Sequence, residues 1–188
     1  MPTIWEEIEN DCLRLLSLPH NVVELRKEGE TPESRARKTV ADVKSGLGGV
    51  PPRRQEFRGP KLFLRVVGPA NRAYSGAWWF DADLLSGVEA AFSRVYFQSA
   101  DKKRAIRDML RELLAVSAEW NAMTEVWALA VPPGEKISGY VGKGAPQKLF
   151  ADLPLPAKGN RMLVGQAEQV FFPVKNPLWV KQYSNLNA

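Results

Sequence analysis

Two places in the sequence combine a polar side chain with an apolar run that has the character of a strand. Residues 165–173, GQAEQVFFP, have Gln166, Glu168 and Gln169 just before the apolar residues of such a run. Arg65 lies alone inside a second run, LFLRVV. A strand can hold an amide or carboxylate rigidly against a ligand hydroxyl, and a guanidinium binds phosphate oxygens through paired hydrogen bonds. Together the two places predict a site for a phosphate-bearing substrate.

Arg65 needs a partner, because an unpaired charge is costly to bury. One alternative is an ion pair within the protein, with Glu125 or Glu168 as the partner. The other is a diphosphate, which the guanidinium would bind through two of its N–H groups. The sequence leaves both alternatives open.

Aromatic and amide side chains elsewhere are further candidates for substrate contacts. Tyr74, Trp78 and Trp79 are of a type that is most often found in a core or on a sheet face. The functional alternative places one of them against a planar ring such as nicotinamide or adenine. Gln147 follows a loop with glycine and proline and, without a ligand, would be a solvated loop residue.

The composition limits the chemistry that an enzyme of this sequence could use. The 188 residues are 45% hydrophobic, which is ample for a packed core and excludes global disorder. The single cysteine, Cys12, excludes an intrachain disulfide. With only one histidine, His20, the sequence also argues against a zinc site and against Ser-His or Cys-His catalysis. We therefore expect no metal, and catalysis by carboxylates, amides, hydroxyls and arginine.

The net charge of +5 is unevenly distributed, because residues 136–188 hold seven basic and two acidic residues. A solvated basic face is the simplest explanation, and attraction of an anionic ligand toward Gln169 is the alternative. Nucleic acid is disfavoured, since the basic residues are scattered and are not interleaved with aromatic residues.

The sequence contains no apolar run near the roughly 20 residues that span a bilayer. Its first residues, MPTIWEE, lack the basic region followed by an apolar region of an ordinary signal peptide. We therefore expect a protein without a membrane span, which is cytoplasmic in the producing cell or is exported without a signal peptide.

The hydrophobic patterns predict an α+β fold in two parts. Residues 46–54, rich in glycine, proline and arginine, are the best candidate for a linker. This divides a helical segment, residues 1–55, from a second domain, residues 56–188. Residues 148–165 have the composition of a long loop. Periodicity and breakers predict helices over 3–17, 32–44, 84–95 and 101–117, and strands over 62–67, 77–80, 124–131, 136–141 and 169–174.

The order of several short motifs resembles the toxin domains of bacterial polymorphic toxin systems, which belong to the ADP-ribosyltransferase-like superfamily. The closest subset is the tuberculosis necrotizing toxin family of NAD glycohydrolases. The resemblance covers residues 62–174 and leaves the first sixty residues unassigned. Its motifs are RVVG from Arg65, WW from Trp78, LAV and WN around residues 114–121, VPPG from Val131, residues 142–147 and residues 165–173.

The resemblance implies a split β-sheet core with flanking helices, and NAD or NADP as a substrate with no prosthetic group. It places Arg65 on the first strand of the sheet, where it would bind the dinucleotide. In one register of the last motif, Glu168 is the catalytic residue and belongs to a Gln-x-Glu motif with Gln166. In the preferred register, Gln169 is catalytic, because it directly precedes the apolar strand. The resemblance also implies substrate contacts by Tyr74, Trp78, Trp79, Gln147 and Gln166.

The activity implied is hydrolysis of the nicotinamide–ribose bond by a toxin effector, with a cognate immunity protein in the producing cell. Residues 1–55 would then be an adaptor, a chaperone-binding segment or a secretion-recognition segment, and the toxin would act in the cytoplasm of a target cell. Transfer of ADP-ribose to a macromolecule and an inactive NAD-binding module are the alternatives. The Ser-Thr-Ser motif of arginine-directed transferases is absent, which weakens the case for transfer more than the case for NAD binding.

Overall fold

A computed structural model of the protein describes residues 2–16, 29–68, 78–93, 99–119, 121–150, 153–155, 158–173 and 176–185. The described part confirms the α+β class: it contains four α-helices and a seven-stranded sheet in which every recorded pairing is antiparallel. None of its helices has both the length and the apolar character needed to cross a bilayer.

The first two helices begin at the capping residues that the sequence indicates. Thr3 and Glu6 form a capping box, in which each backbone N–H donates to the other side chain, at 2.6 and 3.3 Å. Thr31 accepts a hydrogen bond from the backbone N–H of Ser34 at 3.1 Å. The helices are α1 (Ile4–Leu16), α2 (Pro32–Gly46), α3 (Ala82–Ser93) and α4 (Ser99–Leu114).

The strands of the large sheet follow the order β1-β5-β8-β3-β2-β4-β9, and β6 pairs with β7 in a separate hairpin-like sheet. The strands that carry the two predicted functional positions, β2 and β8, are therefore separated only by β3. The strands are β1 (Arg53–Arg58), β2 (Lys61–Val67), β3 (Trp78–Asp81), β4 (Glu125–Val131), β5 (Lys136–Lys143), β6 (Gln147–Lys148), β7 (Met162–Leu163), β8 (Glu168–Phe171) and β9 (Val180–Asn185).

The helices pack in two pairs on one face of the sheet. Alternation along the strands sends Trp78 and Phe80 to this face and Trp79 to the other. The α1–α2 pair covers Tyr140 and Phe171, and the α3–α4 pair covers the apolar residues of β2 and β4. The gap between the two helical pairs lies over β2, β3 and β8.

The N-terminal helices share a core with the sheet. Ile8 of α1 is fully buried in one cluster with Tyr140 and Phe171. The hydroxyl of Tyr140 donates a 2.7 Å hydrogen bond to the carboxylate of Asp11. The predicted boundary near residue 55 falls inside β1, which pairs with β5 along its whole length. The described residues among the first 55, 2–16 and 29–55, are thus continuous in packing with the sheet that carries Arg65 and Gln169.

Four strands were not predicted from the sequence: β1 and β9, which are the edges of the large sheet, and the two-residue strands β6 and β7, of which β7 lies within the predicted long loop 148–165. Part of the predicted linker is structured, because Leu47 is 3% exposed and β1 begins at Arg53. The strand β9 follows the run that the sequence indicated as the last strand. Edge strands can carry polar and charged residues on the side that faces water, which removes the apolar signal.

Candidate functional site

A cavity of about 330 Å³ lies between the C-terminal ends of α2 and α4. Its floor is formed by the neighbouring strands β8, β3 and β2. Arg65 and Gln169, which the sequence singles out separately, both line it. The remaining lining residues are Gly46, Val66, Trp78, Phe80, Leu114, Ala115, Val116, Asn121, Met123, Gly144, Ala145 and Gln147.

Arg65 of β2 is among the residues that line this cavity. Its Nη1 atom is buried and has no hydrogen-bond partner within the described ranges. Burial lowers the pKa of Arg65 from its ordinary value to about 10. Burying a cation without a partner costs free energy, and an anion that accepted these N–H groups would recover that cost.

The ion pair that the sequence left open for Arg65 does not form. Glu125 accepts a 3.1 Å hydrogen bond from the indole N–H of Trp127. Glu168 forms two hydrogen bonds with Arg53 of β1, at 2.7 and 3.1 Å, and this hydrogen bonding lowers the pKa of Glu168. Both carboxylates predicted as partners therefore bind other groups.

A second arginine, Arg111, has a guanidinium whose hydrogen bonds are formed within the protein. Arg111 of α4 is 8% exposed and donates to the carbonyl oxygens of Val116 and Asn121, each at 2.9 Å. These bonds hold the loop after α4, which forms one wall of the cavity. Arg111 is therefore structural, whereas Arg65 has a buried donor that the described protein leaves unused.

Gln169 is fixed at the head of β8 by a hydrogen bond to the end of a helix. Its Nε2 atom donates to the carbonyl oxygen of Leu114, the last residue of α4, at 3.0 Å. A Cβ atom on Gly144 would lie 2.7 Å from the same Nε2 atom, so only glycine leaves room for this arrangement. Because Nε2 is engaged, the oxygen Oε1 is the atom of Gln169 that can accept a hydrogen bond from a ligand.

The end of α4 is built as a Schellman motif whose turn residue is Ala115. The N–H of Ala115 donates to Glu112 and the N–H of Val116 donates to Arg111. Ala115 has a φ of 51° and Met123 a φ of 55°, in the left-handed region that side chains rarely adopt. Both residues line the cavity, and strained backbone of this kind is concentrated at functional sites.

The chain that leads into β8 runs across the same helix end. The backbone N–H of Gly165 donates to the carbonyl of Glu112, and that of Ala167 donates to the carbonyl of Leu113. The side chain of Gln169 makes the next bond in this series, to Leu114. Three successive carbonyls at the end of α4 are thereby satisfied, and the head of β8 is fixed against the helix.

The site is thus a cavity lined by Arg65, whose Nη1 has no partner within the described ranges, and by Gln169, whose amide is fixed by a hydrogen bond. None of the family models, curated proteins or solved structures compared with this chain matches it. The arguments for function therefore rest on the cavity itself and on the motifs of the sequence.

The structure separates the remaining predicted residues into two groups. Trp78 and Gln147 line the cavity with Arg65 and Gln169. Trp79 is fully buried on the opposite face of the sheet, among other core residues, and Gln166 has an exposed side chain outside the cavity lining. Tyr74 lies outside the described residues.

Two features of the site could not be chosen from the sequence. Asn121 uses both ends of its amide within the protein, donating to Val66 and accepting from the N–H of Met123, each at 2.8 Å. It therefore shapes the cavity wall. Gly144 leaves room for the side chain of Gln169, because it has no Cβ atom. The sequence indicates this role only by placing Gly144 in a loop that contains another glycine. In the part of the chain that is described, no three His, Cys, Asp or Glu side chains are grouped to hold a metal ion.

Proposed function

We propose that the protein is an NAD(P)-consuming enzyme that breaks the bond between nicotinamide and ribose. The observation that carries this proposal is the buried Nη1 atom of Arg65, which has no partner in the described protein and belongs to a residue that lines a preformed cavity with Gln169. A diphosphate is a suitable partner for a buried guanidinium, because its oxygens can accept two parallel N–H groups.

Three of the residues that line the cavity have roles in such a reaction. Arg65 binds the diphosphate, and the indole of Trp78 provides a surface for the flat nicotinamide ring. The Oε1 atom of Gln169 accepts a hydrogen bond from a ribose hydroxyl. Cleavage passes through a state that resembles an oxocarbenium ion, as in glycoside hydrolysis, and fixed dipoles stabilise its charge. The leaving nicotinamide is neutral once released, so no strong general acid is required.

The arrangement of strands also supports the proposal. The strands that carry Arg65 and Gln169 lie on either side of β3, which carries Trp78. Three adjacent strands therefore supply the anion-binding, ring-binding and hydroxyl-binding side chains. This is consistent with the split-sheet ADP-ribosyltransferase fold that we propose on the basis of the motifs.

Hydrolysis is favoured over transfer to a protein by the position of Glu168. Its carboxylate pairs with Arg53, and the residue is absent from the cavity lining, so the catalytic register with Gln169 is preferred. No carboxylate residue lines the cavity within the described ranges. That same absence favours a second candidate, a module that binds NAD without turning it over, because an amide dipole stabilises positive charge less than a carboxylate does.

The biological role that we propose is that of a toxin effector that depletes NAD(P) in a target cell. A producing cell would then require a cognate immunity protein that blocks the activity, and delivery would involve an adaptor or chaperone. These proposals come from the motifs of residues 62–174. An enzyme that consumes a central cofactor is harmful wherever it is active, which is the physical reason for a dedicated inhibitor.

The test is incubation of the purified protein with NAD and with NADP, followed by chromatography of the products. Nicotinamide with free ADP-ribose, or its 2′-phosphate from NADP, is the expected result. Nicotinamide without free ADP-ribose would indicate transfer, and unchanged NAD and NADP with a folded protein would reject the enzyme. The variant Glu168→Gln decides the register: we expect it to keep most of the activity, whereas Gln169→Ala should lose it.

A further inference from the structure

The cavity lining contains four side chains that end in an amide or guanidinium. They differ in how many of their polar atoms form hydrogen bonds within the protein. Asn121 is fully used, because its Nδ2 donates to Val66 and its Oδ1 accepts from Met123. Gln169 has one end of its amide bonded, since its Nε2 donates to the carbonyl oxygen of Leu114. Arg65 has the unused donor described above.

Gln147 is the fourth, and no hydrogen bond of its side chain is recorded within the described ranges. Among the described lining residues, Gln147 therefore has both an amide donor and an amide acceptor that a ligand could use. A primary carboxamide is the group that complements this pair, because it has a carbonyl oxygen and an N–H arranged in the same plane. Two neutral hydrogen bonds can then form at once.

The backbone holds Gln147 in place without using its side chain. Gln147 belongs to β6 and pairs with Leu163 of β7, which is fully buried. Two residues before it, the N–H of Ala145 donates to the carbonyl of Gly46 at 2.7 Å. The fixed backbone sets the region that the amide of Gln147 can reach, and binding a ligand then has to order only the side chain.

The same contacts place Gln147 near the ring-binding side of the cavity. The ring of Trp78 is 3.5 Å from the position of a Cβ atom on Gly46, so Gly46 lies between Trp78 and the loop that carries Ala145 and Gln147. Trp78, Gly46, Ala145 and Gln147 all line the cavity. Gly46 contacts both the ring of Trp78 and the loop that leads to Gln147, so a ring bound against Trp78 lies in the same cavity as the amide of Gln147.

We propose that Gln147 is a specificity-determining residue that binds the carboxamide of a nicotinamide ring lying against Trp78. This inference rests on the proposed function, since it names the part of the dinucleotide that this side of the cavity recognises. It assigns selectivity for a carboxamide over substituents that lack its N–H donors, such as an acetyl group.

The experiment measures binding separately from turnover. In a Gln169→Ala background, which prevents hydrolysis from interfering, isothermal titration calorimetry gives the Kd of NAD and of 3-acetylpyridine adenine dinucleotide. The acetyl group accepts a hydrogen bond but donates none. Each titration is repeated after adding Gln147→Ala, and after adding Gln182→Ala as a matched control on the exposed face of β9. If the background variant does not fold, the wild-type protein is titrated at low temperature over a time in which chromatography shows the NAD to be intact.

We expect Gln147→Ala to weaken NAD binding roughly tenfold and binding of the acetyl analogue only about threefold, since the acetyl group makes one fewer hydrogen bond. Gln182→Ala should change neither value. Equal effects of Gln147→Ala on the two ligands, or no binding of NAD by the folded protein, would overturn the inference. Selective loss with Gln147→Ala, in a protein whose wild type does not consume NAD, would support it while rejecting the hydrolase.

Discussion

The amide nitrogen of Gln169 donates a 3.0 Å hydrogen bond to the carbonyl oxygen of Leu114, and this bond joins the head of β8 to the end of α4. The two residues are 55 positions apart in the sequence. The bond orients the amide so that its nitrogen faces the helix, and the oxygen remains for a ligand. It also makes the candidate catalytic residue part of the fold.

Gln169→Glu should destabilise the protein by about 1–3 kcal/mol, because the carboxylate loses the donor to Leu114 and places a negative charge at the C-terminal end of a helix. Chemical denaturation at pH 7 measures the change. Gln182→Glu, on an exposed edge strand, is the control and should be nearly neutral. A Gln169→Glu protein as stable as wild type would show that the hydrogen bond does not form in solution.

Gly144→Ala should reduce activity without unfolding the protein. The added methyl group would lie 2.7 Å from Nε2 of Gln169 and 3.3 Å from the carbonyl oxygen of Leu114, so the amide must move. A displacement of this size lowers kcat/KM by about 10- to 100-fold. Nicotinamide release, measured at several NAD concentrations, gives the change.

The matched control for that substitution is Gly87→Ala in α3, where an added methyl group meets nothing within 4 Å. Alanine is the better helix former, so this variant should gain about 0.5–1 kcal/mol and keep its activity. If Gly144→Ala also kept full activity, Gln169 would not need its observed position.

The two buried arginines should respond in opposite ways to replacement by methionine. Arg111→Met removes two hydrogen bonds to the carbonyls of Val116 and Asn121 and should cost about 2–4 kcal/mol. Arg65→Met removes a buried charge whose Nη1 has no described partner, and should be neutral or stabilising by up to about 1 kcal/mol. Urea denaturation of both variants compares them directly. A large loss of stability with Arg65→Met would assign Arg65 to the fold.

Tyr140→Phe should cost about 1–2 kcal/mol, because it removes the hydrogen bond to Asp11 that joins α1 to β5. Burial and Asp11 raise the pKa of Tyr140. The fold therefore favours the neutral phenol. The contribution of Tyr140 to the free energy of unfolding is complete below about pH 10 and is lost at higher pH.

Unfolding followed by circular dichroism and by fluorescence should give one coincident transition. Two separate transitions would show that α1 and α2 unfold independently of the sheet.

The sequence was sufficient to predict the helices and strands that have an apolar pattern of their own. The helices and the strands β2, β4 and β5 have apolar runs or periodic faces bounded by caps, glycine or proline, and they appear close to their predicted bounds. The sequence RRQEFR of β1 has charged residues at four of its six positions, and its first two residues, Arg53 and Arg54, were assigned to the linker. Pairing with β5 makes it a strand, and no local signal reports that pairing.

The choice between Glu168 and Gln169 shows why the site could be predicted only in part. Adjacent residues of a strand point to opposite sides, so one of the two had to face away from the cavity. Which one does so depends on Arg53, 115 positions away, and on Leu114, 55 positions away. The sequence could indicate the strand and its polar head, but the long-range partners decide the orientation.

The most direct test of the role of Arg65 is the rate of nicotinamide release from NAD by the wild-type protein and by Arg65→Met, with the unfolding transition of both measured in the same buffer. We expect release by wild type and a loss of at least about 100-fold in the variant, at equal or higher stability. Equal rates in the two proteins, or no release by a folded wild type, would contradict the claim that Arg65 holds the diphosphate of a dinucleotide substrate.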